Sequence, residues 1–158
     1  MPGQAELKPA LAALLAEIGR ELAGCAEPWW LIGSAAMAVH GAPVAVRDID
    51  ILLAPDDACA LLDRRGFPVE PGAPSALFRS DIFACWEAPP YHVELFAGFH
   101  VRDVQGWREL VPETREARTV DGVALFVPAV AELIAWGRLF GRDKDVVREP
   151  LLTALLPH

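Results

Sequence analysis

The chain has 158 residues, 14 Lys and Arg against 22 Asp and Glu, a formal net charge of −8 and 53% hydrophobic residues. That length suits one domain with a sizeable core, and a mean hydropathy of +0.27 with 23% charged residues excludes disorder along the chain as a whole. The acidic balance lacks the basic footprint by which a protein holds duplex DNA through its phosphates.

In chain order, Pro9 to Leu22 reads as an amphipathic helix, with Leu11, Leu14, Leu15, Ile18 and Leu22 at helical spacing and Gly24 where a C-terminal cap belongs. Trp29 to Ile32 is a short apolar run ending at Gly33-Ser34, and Ser34 is the predicted cap of a helix from Ala35 to His40. Residues 28–46 carry no Asp, Glu, Lys or Arg over about the length of a membrane span, but Gly33, Ser34, His40, Gly41 and Pro43 interrupt them. A buried strand, turn and helix is the expectation, and no membrane segment. Asp48 to Ala54 reads as a buried strand, and Pro55 opens a helix to about Arg65 that Gly66 ends. Phe67 to Glu70 is a predicted short strand, and 71–74 a loop. Leu77–Trp86 and Tyr91–Phe96 form a predicted antiparallel hairpin with a longer loop around Pro89-Pro90. After Asp121-Gly122, Val123 to Val127 is strand-like. Pro128 opens a helix through Phe140, and Arg142 to Leu155 forms a last one, bent or broken at Pro150.

Mixed strands and helices with a terminal helical pair predict an α/β (α+β) domain, a mixed sheet flanked by helices. Residues 1–127 would form the main unit and 128–158 a C-terminal helical segment packed on it. Cys25, Cys59 and Cys85 are odd in number and form no CxxC, which argues against a disulfide framework or structural zinc and fits a reducing cytoplasm. Met1 to Gln4 shows no basic stretch leading into an apolar core, so no signal peptide is expected.

The chemistry concentrates in Gly33-Ser34, thirteen intervening residues, then Asp48-Ile49-Asp50. On a strand Asp48 and Asp50 share one face while Ile49 and Ile51 face the core. Two carboxylates about 7 Å apart on one face repel unless a cation lies between them. A divalent ion with hard oxygen ligands relieves that repulsion, and Mg²⁺ is the usual choice where substrate phosphates complete its shell. Glu94, in His92-Val-Glu-Leu-Phe96, becomes a third carboxylate of the cluster if its strand lies beside the first. A glycine before a helix start lets backbone N–H groups approach a phosphate. A chance Asp-x-Asp on a solvated strand is the plain alternative. The apolar run Ile49, Ile51, Leu52 and Leu53 makes a solvated face less natural here.

Gly-Ser, helix, Gly, Asp-x-Asp on a strand and a later carboxylate together resemble the nucleotidyltransferase superfamily typified by DNA polymerase beta. Within it the chain is similar to the small bacterial minimal nucleotidyltransferases and the toxins of abortive-infection type systems. The resemblance covers residues 29 to 100, and the tail Arg138 to Asp145 is similar to a basic segment that follows the catalytic domain in such proteins. It implies a nucleotidyltransferase-like mixed sheet. It also implies transfer of a nucleoside monophosphate from a nucleoside triphosphate to a hydroxyl, with two Mg²⁺ ions, or Mn²⁺ in their place. Asp48 and Asp50 would bind both metals, and Glu94 the one that activates the attacking hydroxyl. Gly33 and Ser34 would hold the triphosphate, which Arg138 and Lys144 would neutralise. Two departures stand out. Val46 occupies the position, two before the first aspartate, where Thr or Ser is usual, with Arg47 beside it as a partial replacement. The third acid is Glu where Asp is commoner.

The acceptor is open: a small molecule such as an aminoglycoside, a tRNA end or a protein hydroxyl. A non-catalytic module that binds a nucleotide or a small helical partner protein, as in a toxin–antitoxin pair, is the alternative of a different class. Plain surface or core roles suit Arg79, His40 and His100 best, while His92 shares the predicted face of Glu94. No GxGxxG, Walker-type lysine loop, GxSxG elbow or activated cysteine offers a competing chemistry.

Overall fold

The computed structural model describes residues 5–157. Met1 to Gln4, read above for a leader, lie outside the described residues, as does His158. The first helix, α1 (Pro9–Leu22), is where periodicity places it and buries Leu11, Leu15, Ile18 and Leu22; Ala23, not Gly24, is its C-cap. Then follow β1 (Trp30–Ile32), α2 (Gly33–Val39), β2 (Asp48–Leu52), α3 (Pro55–Arg65), β3 (Phe78–Ala88), β4 (Tyr91–Asp103), β5 (Gly106–Glu109), β6 (Glu116–Val120), β7 (Val123–Val127), α4 (Val130–Phe140) and α5 (Asp143–Thr153). The main sheet is mixed, in the order β1-β2-β4-β3 with β5 added along β4. β2 and β4 run parallel, and every other pair in it is antiparallel. β6 and β7 form a separate hairpin.

Alternation along the strands builds two unlike faces. Ile49, Ile51, Val93 and Leu95 are fully buried in the larger core with Leu15 and Leu22 of α1 and Leu61 and Leu62 of α3. Each such side chain contributes roughly 1.5–3 kcal/mol through the water it no longer orders. A second cluster joins Ile32, Leu52, Phe99 and Val101 to Trp136 of α4. On β4 the change from the first cluster (Val93, Leu95, Ala97) to the second (Phe99, Val101) falls at Gly98, whose φ is +61°.

Several expectations are corrected. Helix α2 begins at Gly33, two residues earlier than expected, with Ile32 at the N-cap position. The Ser34 hydroxyl does not cap it but donates to the Asp48 carbonyl at 3.4 Å. Phe67 to Glu70 is not a strand. Phe83 N–H donates to the Glu70 carbonyl and Gly72 N–H to that of Ser80, but Pro68, Pro71 and Pro74 have no N–H with which to complete a ladder. The hairpin loop is short, since Ala88 pairs with Tyr91 across Pro89-Pro90 alone. β4 is much longer than expected and is followed by β5, which the sequence reading did not include. Pro150 does not break the last helix, which runs through it to Thr153. It lies on the exposed side, near Val146 at 70% exposure, where water can satisfy the carbonyl that loses its N–H partner. Cys25, Cys59 and Cys85 are all free thiols. No helix among the described residues is long and apolar enough to cross a membrane.

Candidate functional site

The parallel pairing of β2 with β4 sets Asp48 opposite His92 and Asp50 opposite Glu94. Partners across adjacent strands are about 4.8 Å apart, so these four side chains share one patch of one face. The sequence requirement for Glu94, that its strand lie beside β2, is met residue for residue. On the other side Ile32 pairs with Asp50, which brings the β1–α2 turn against that carboxylate.

Gly33 is required there twice over. Its φ of +65° suits glycine, and a Cβ at this position would fall 2.8 Å from Asp50 Oδ2. The turn therefore touches the carboxylate with bare backbone. Ser34 is buried, and its bond to the Asp48 carbonyl ties the first turn of α2 to β2.

Asp50 is the electrostatically costly member of the patch. Its Oδ1 is buried without a hydrogen-bond partner. Burial first, then the charges of Glu94 and Asp48, push its pKa up to about 7, with the Lys144 ammonium acting the other way. An unpartnered buried carboxylate costs stability unless a cation or proton joins it. Asp48 is exposed. His92 lies between acids: Nδ1 contacts a Glu87 carboxylate oxygen, and Nε2 is 3.6 Å from Glu94 Oε1. The Glu87 hydrogen bond raises the His92 pKa.

Cations come from α5. The field of Lys144 reaches Asp50, and so does that of Arg148, a half-buried guanidinium with no ion-pair partner among the described residues. Burial, then Arg142, lower the Arg148 pKa, while Asp145 and Asp50 raise it. Sequence reasoning missed Arg148. Its signal was the four-residue spacing from Lys144, which sets both on one side of a helix.

The other candidates are placed as follows. Arg138 is exposed and holds Glu149 through two hydrogen bonds of 2.8 and 3.0 Å. The nearby Asp145 is held instead by Arg142 at 2.7 Å. Arg47 is exposed next to Asp48, and its carbonyl accepts from His92 N–H. Val46 packs against the larger core, which accounts for an apolar side chain at that position. His40 is buried with Nε2 2.7 Å from the Pro128 carbonyl, His100 Nδ1 meets the Gly98 carbonyl, and Arg79 rests over Trp107. None of these three belongs to the patch.

As the side chains stand, no three His, Cys, Asp or Glu among the described residues converge closely enough to hold a metal. The chemistry of the donor set nevertheless fits a hard divalent cation. Asp48, Asp50 and Glu94 offer carboxylate oxygens only, and one of those oxygens is buried with nothing to bind.

The sequence matches no family model and no curated protein. Solved structures do match it. A candidate nucleotidyltransferase, TM1012 from Thermotoga maritima, superposes with a TM-score of 0.75 at 20% identity, covering 98% of this chain and 99% of that one. An antigenic nucleotidyltransferase-like protein from Paracoccidioides brasiliensis gives 0.61 at 12% identity over 97% of this chain and 80% of the other. The antibiotic-resistance factor ANT(2'')-Ia gives 0.59 at 11% identity over 95% and 86%. The chain has a nucleotidyltransferase-like fold.

Proposed function

We propose that this protein is a Mg²⁺-dependent nucleotidyltransferase that moves a nucleoside monophosphate from a nucleoside triphosphate to a hydroxyl. The observation that carries the reading is the unpartnered, buried Oδ1 of Asp50 beside Asp48 and Glu94, at a glycine turn in this fold. Asp48, Asp50 and Glu94 would hold the divalent ions, Mg²⁺ or Mn²⁺. When bound, such ions supply positive charge at the phosphates and favour ionisation of the attacking hydroxyl. The acceptor oxygen would bond to the α-phosphorus, the bond to pyrophosphate would break, and the hydroxyl proton would pass to the Glu94 carboxylate.

The chain's own contribution is positioning and charge balance. Gly33 presents backbone to the phosphates, and Ser34 holds that turn in register with β2. Lys144 and Arg148 set two cations beside the acids, where a triphosphate would need them. Arg47 stands next to Asp48 with no ion-pair partner among the described residues, and Arg138 would join only by leaving Glu149. The acidic balance of the chain favours a small molecule as acceptor over a tRNA end.

Calorimetric titration of each nucleoside triphosphate, with and without Mg²⁺, tests the reading. Wild type should bind at least one triphosphate only with metal, and Asp50→Asn should lose that binding while staying folded. Failure of wild type to bind any of them overturns the proposal. Two observations favour a non-catalytic module instead: Arg138 is occupied by Glu149, and Val46 is turned to the core. Under that reading a small helical partner protein should co-purify in stoichiometric amount.

A further inference from the structure

Away from the acid patch, a cavity of about 300 Å³ opens between the ends of β1 and β2 and the far part of β4. Its floor is apolar and fully formed, since Leu52, Phe99 and Leu110 are each at most 7% exposed. Trp30 forms one wall, its ring fixed by an indole N–H bond of 3.0 Å to the Thr114 carbonyl. Three carboxylates, Glu27, Asp81 and Glu109, stand around it, and no Lys, Arg or His lines it. None of the three has a side-chain ion-pair or hydrogen-bond partner among the described residues. The fold makes room for one of them. Gly98 has φ +61°, and a Cβ there would fall 2.3 Å from Asp81 Oδ2, so the Asp81 carboxylate lies across bare backbone at the cavity wall.

This lining selects by chemistry. An anion would enter against three like charges with no cation to receive it. A metal ion would find hydrocarbon where it needs oxygen, and no three ligands converge. A neutral apolar molecule would take water from the carboxylates and return nothing. An organic cation answers both parts, with its apolar body on the floor and its charged head among the carboxylates, while the Trp30 ring itself already lies 5.7 Å from the Arg115 guanidinium.

We infer that this cavity is a binding site for a small organic cation, an amine carrying an apolar body. It is separate from the acid patch but close to it: Leu52 follows Asp50 by two residues on β2, about 7 Å along the strand. The site requires neither nucleotide nor metal and stands independently of the proposed transferase activity.

The test uses the full chain, labelled with ¹⁵N, and three probes of nearly equal shape: phenethylamine, phenethyl alcohol and phenylacetate. Phenethylamine should shift the Trp30 indole N–H and the Gly98 and Leu110 amides saturably, and the other two should bind about tenfold more weakly or worse. Asp81→Asn and Glu109→Gln, both at exposed positions that the fold tolerates, should each weaken the amine by about three- to tenfold. Equal binding of alcohol and amine overturns the inference. So do amine shifts scattered over the acidic surface without saturation, or binding indifferent to both substitutions.

Discussion

The two faces of β2 and β4 are made from alternate residues of the same ten positions, yet they are opposite in character. Ile49, Ile51, Val93 and Leu95 have every atom accounted for by packing. One residue away along each strand, Asp48, Asp50 and Glu94 gather like charge beside His92 and leave a buried oxygen without a partner. The first face holds the sheet together, and the second draws on that stability to keep repelling groups in place. A site can be recognised by what its scaffold tolerates, since a face selected only for stability would not keep Asp50.

The sharpest way to break the contrast is on the packed side. Leu95→Ala should cost about 2–5 kcal/mol in urea denaturation, because the β4 backbone cannot close on the space left. On the acid side the sign reverses. In metal-free protein Asp50→Asn should be as stable as wild type or more stable by about 1 kcal/mol, since it removes an uncompensated buried charge. Loss of several kcal/mol in that variant would mean the carboxylate is a structural contact after all.

Smaller effects sharpen the comparison at its edges. Arg148→Ala and Lys144→Ala should each weaken Mg²⁺-triphosphate binding about tenfold by calorimetry, whereas Arg138→Ala should change it less than about twofold. An equal loss in all three would mean that Arg138 leaves Glu149 for the nucleotide. His40 supplies a pH test on the packed side. Burial lowers its pKa in the folded chain, so the unfolded chain takes up a proton first as pH falls. The His40 contribution to stability is therefore intact above the unfolded value of about 6.5 and is lost as pH drops below it, so in denaturant melts from pH 7 to 5 His40→Gln should gain stability relative to wild type.

Legibility followed the range of the forces involved. Asp48-Ile-Asp-Ile could be read because alternation is local to five residues, and Val93-Glu94-Leu95 repeats it. The fold's mixed sheet and terminal helix pair followed from patterns of the same range. Ser34 was misread because its partner, the Asp48 carbonyl, is fourteen residues away and local rules offer only a cap. Arg148 was invisible for a related reason. Its neighbours Val146 and Val147 are exposed, so hydrophobic periodicity gives no sign of which side of α5 turns inward. The second half of β4 lies past Phe96, where the predicted strand ends, and Gly98 serves as a bend within the continuing strand.

Because β2 and β4 are parallel, the chain must leave Asp50, cross through α3 and the whole of β3, and return before Glu94 can stand beside it. No nascent or proteolysed fragment ending before Tyr91 can contain the three acids as a group, however well its helices form. Such long-range pairing comes late and slowly in folding. Divalent-ion affinity would therefore grade a preparation by completeness of tertiary assembly, which helical content alone does not register.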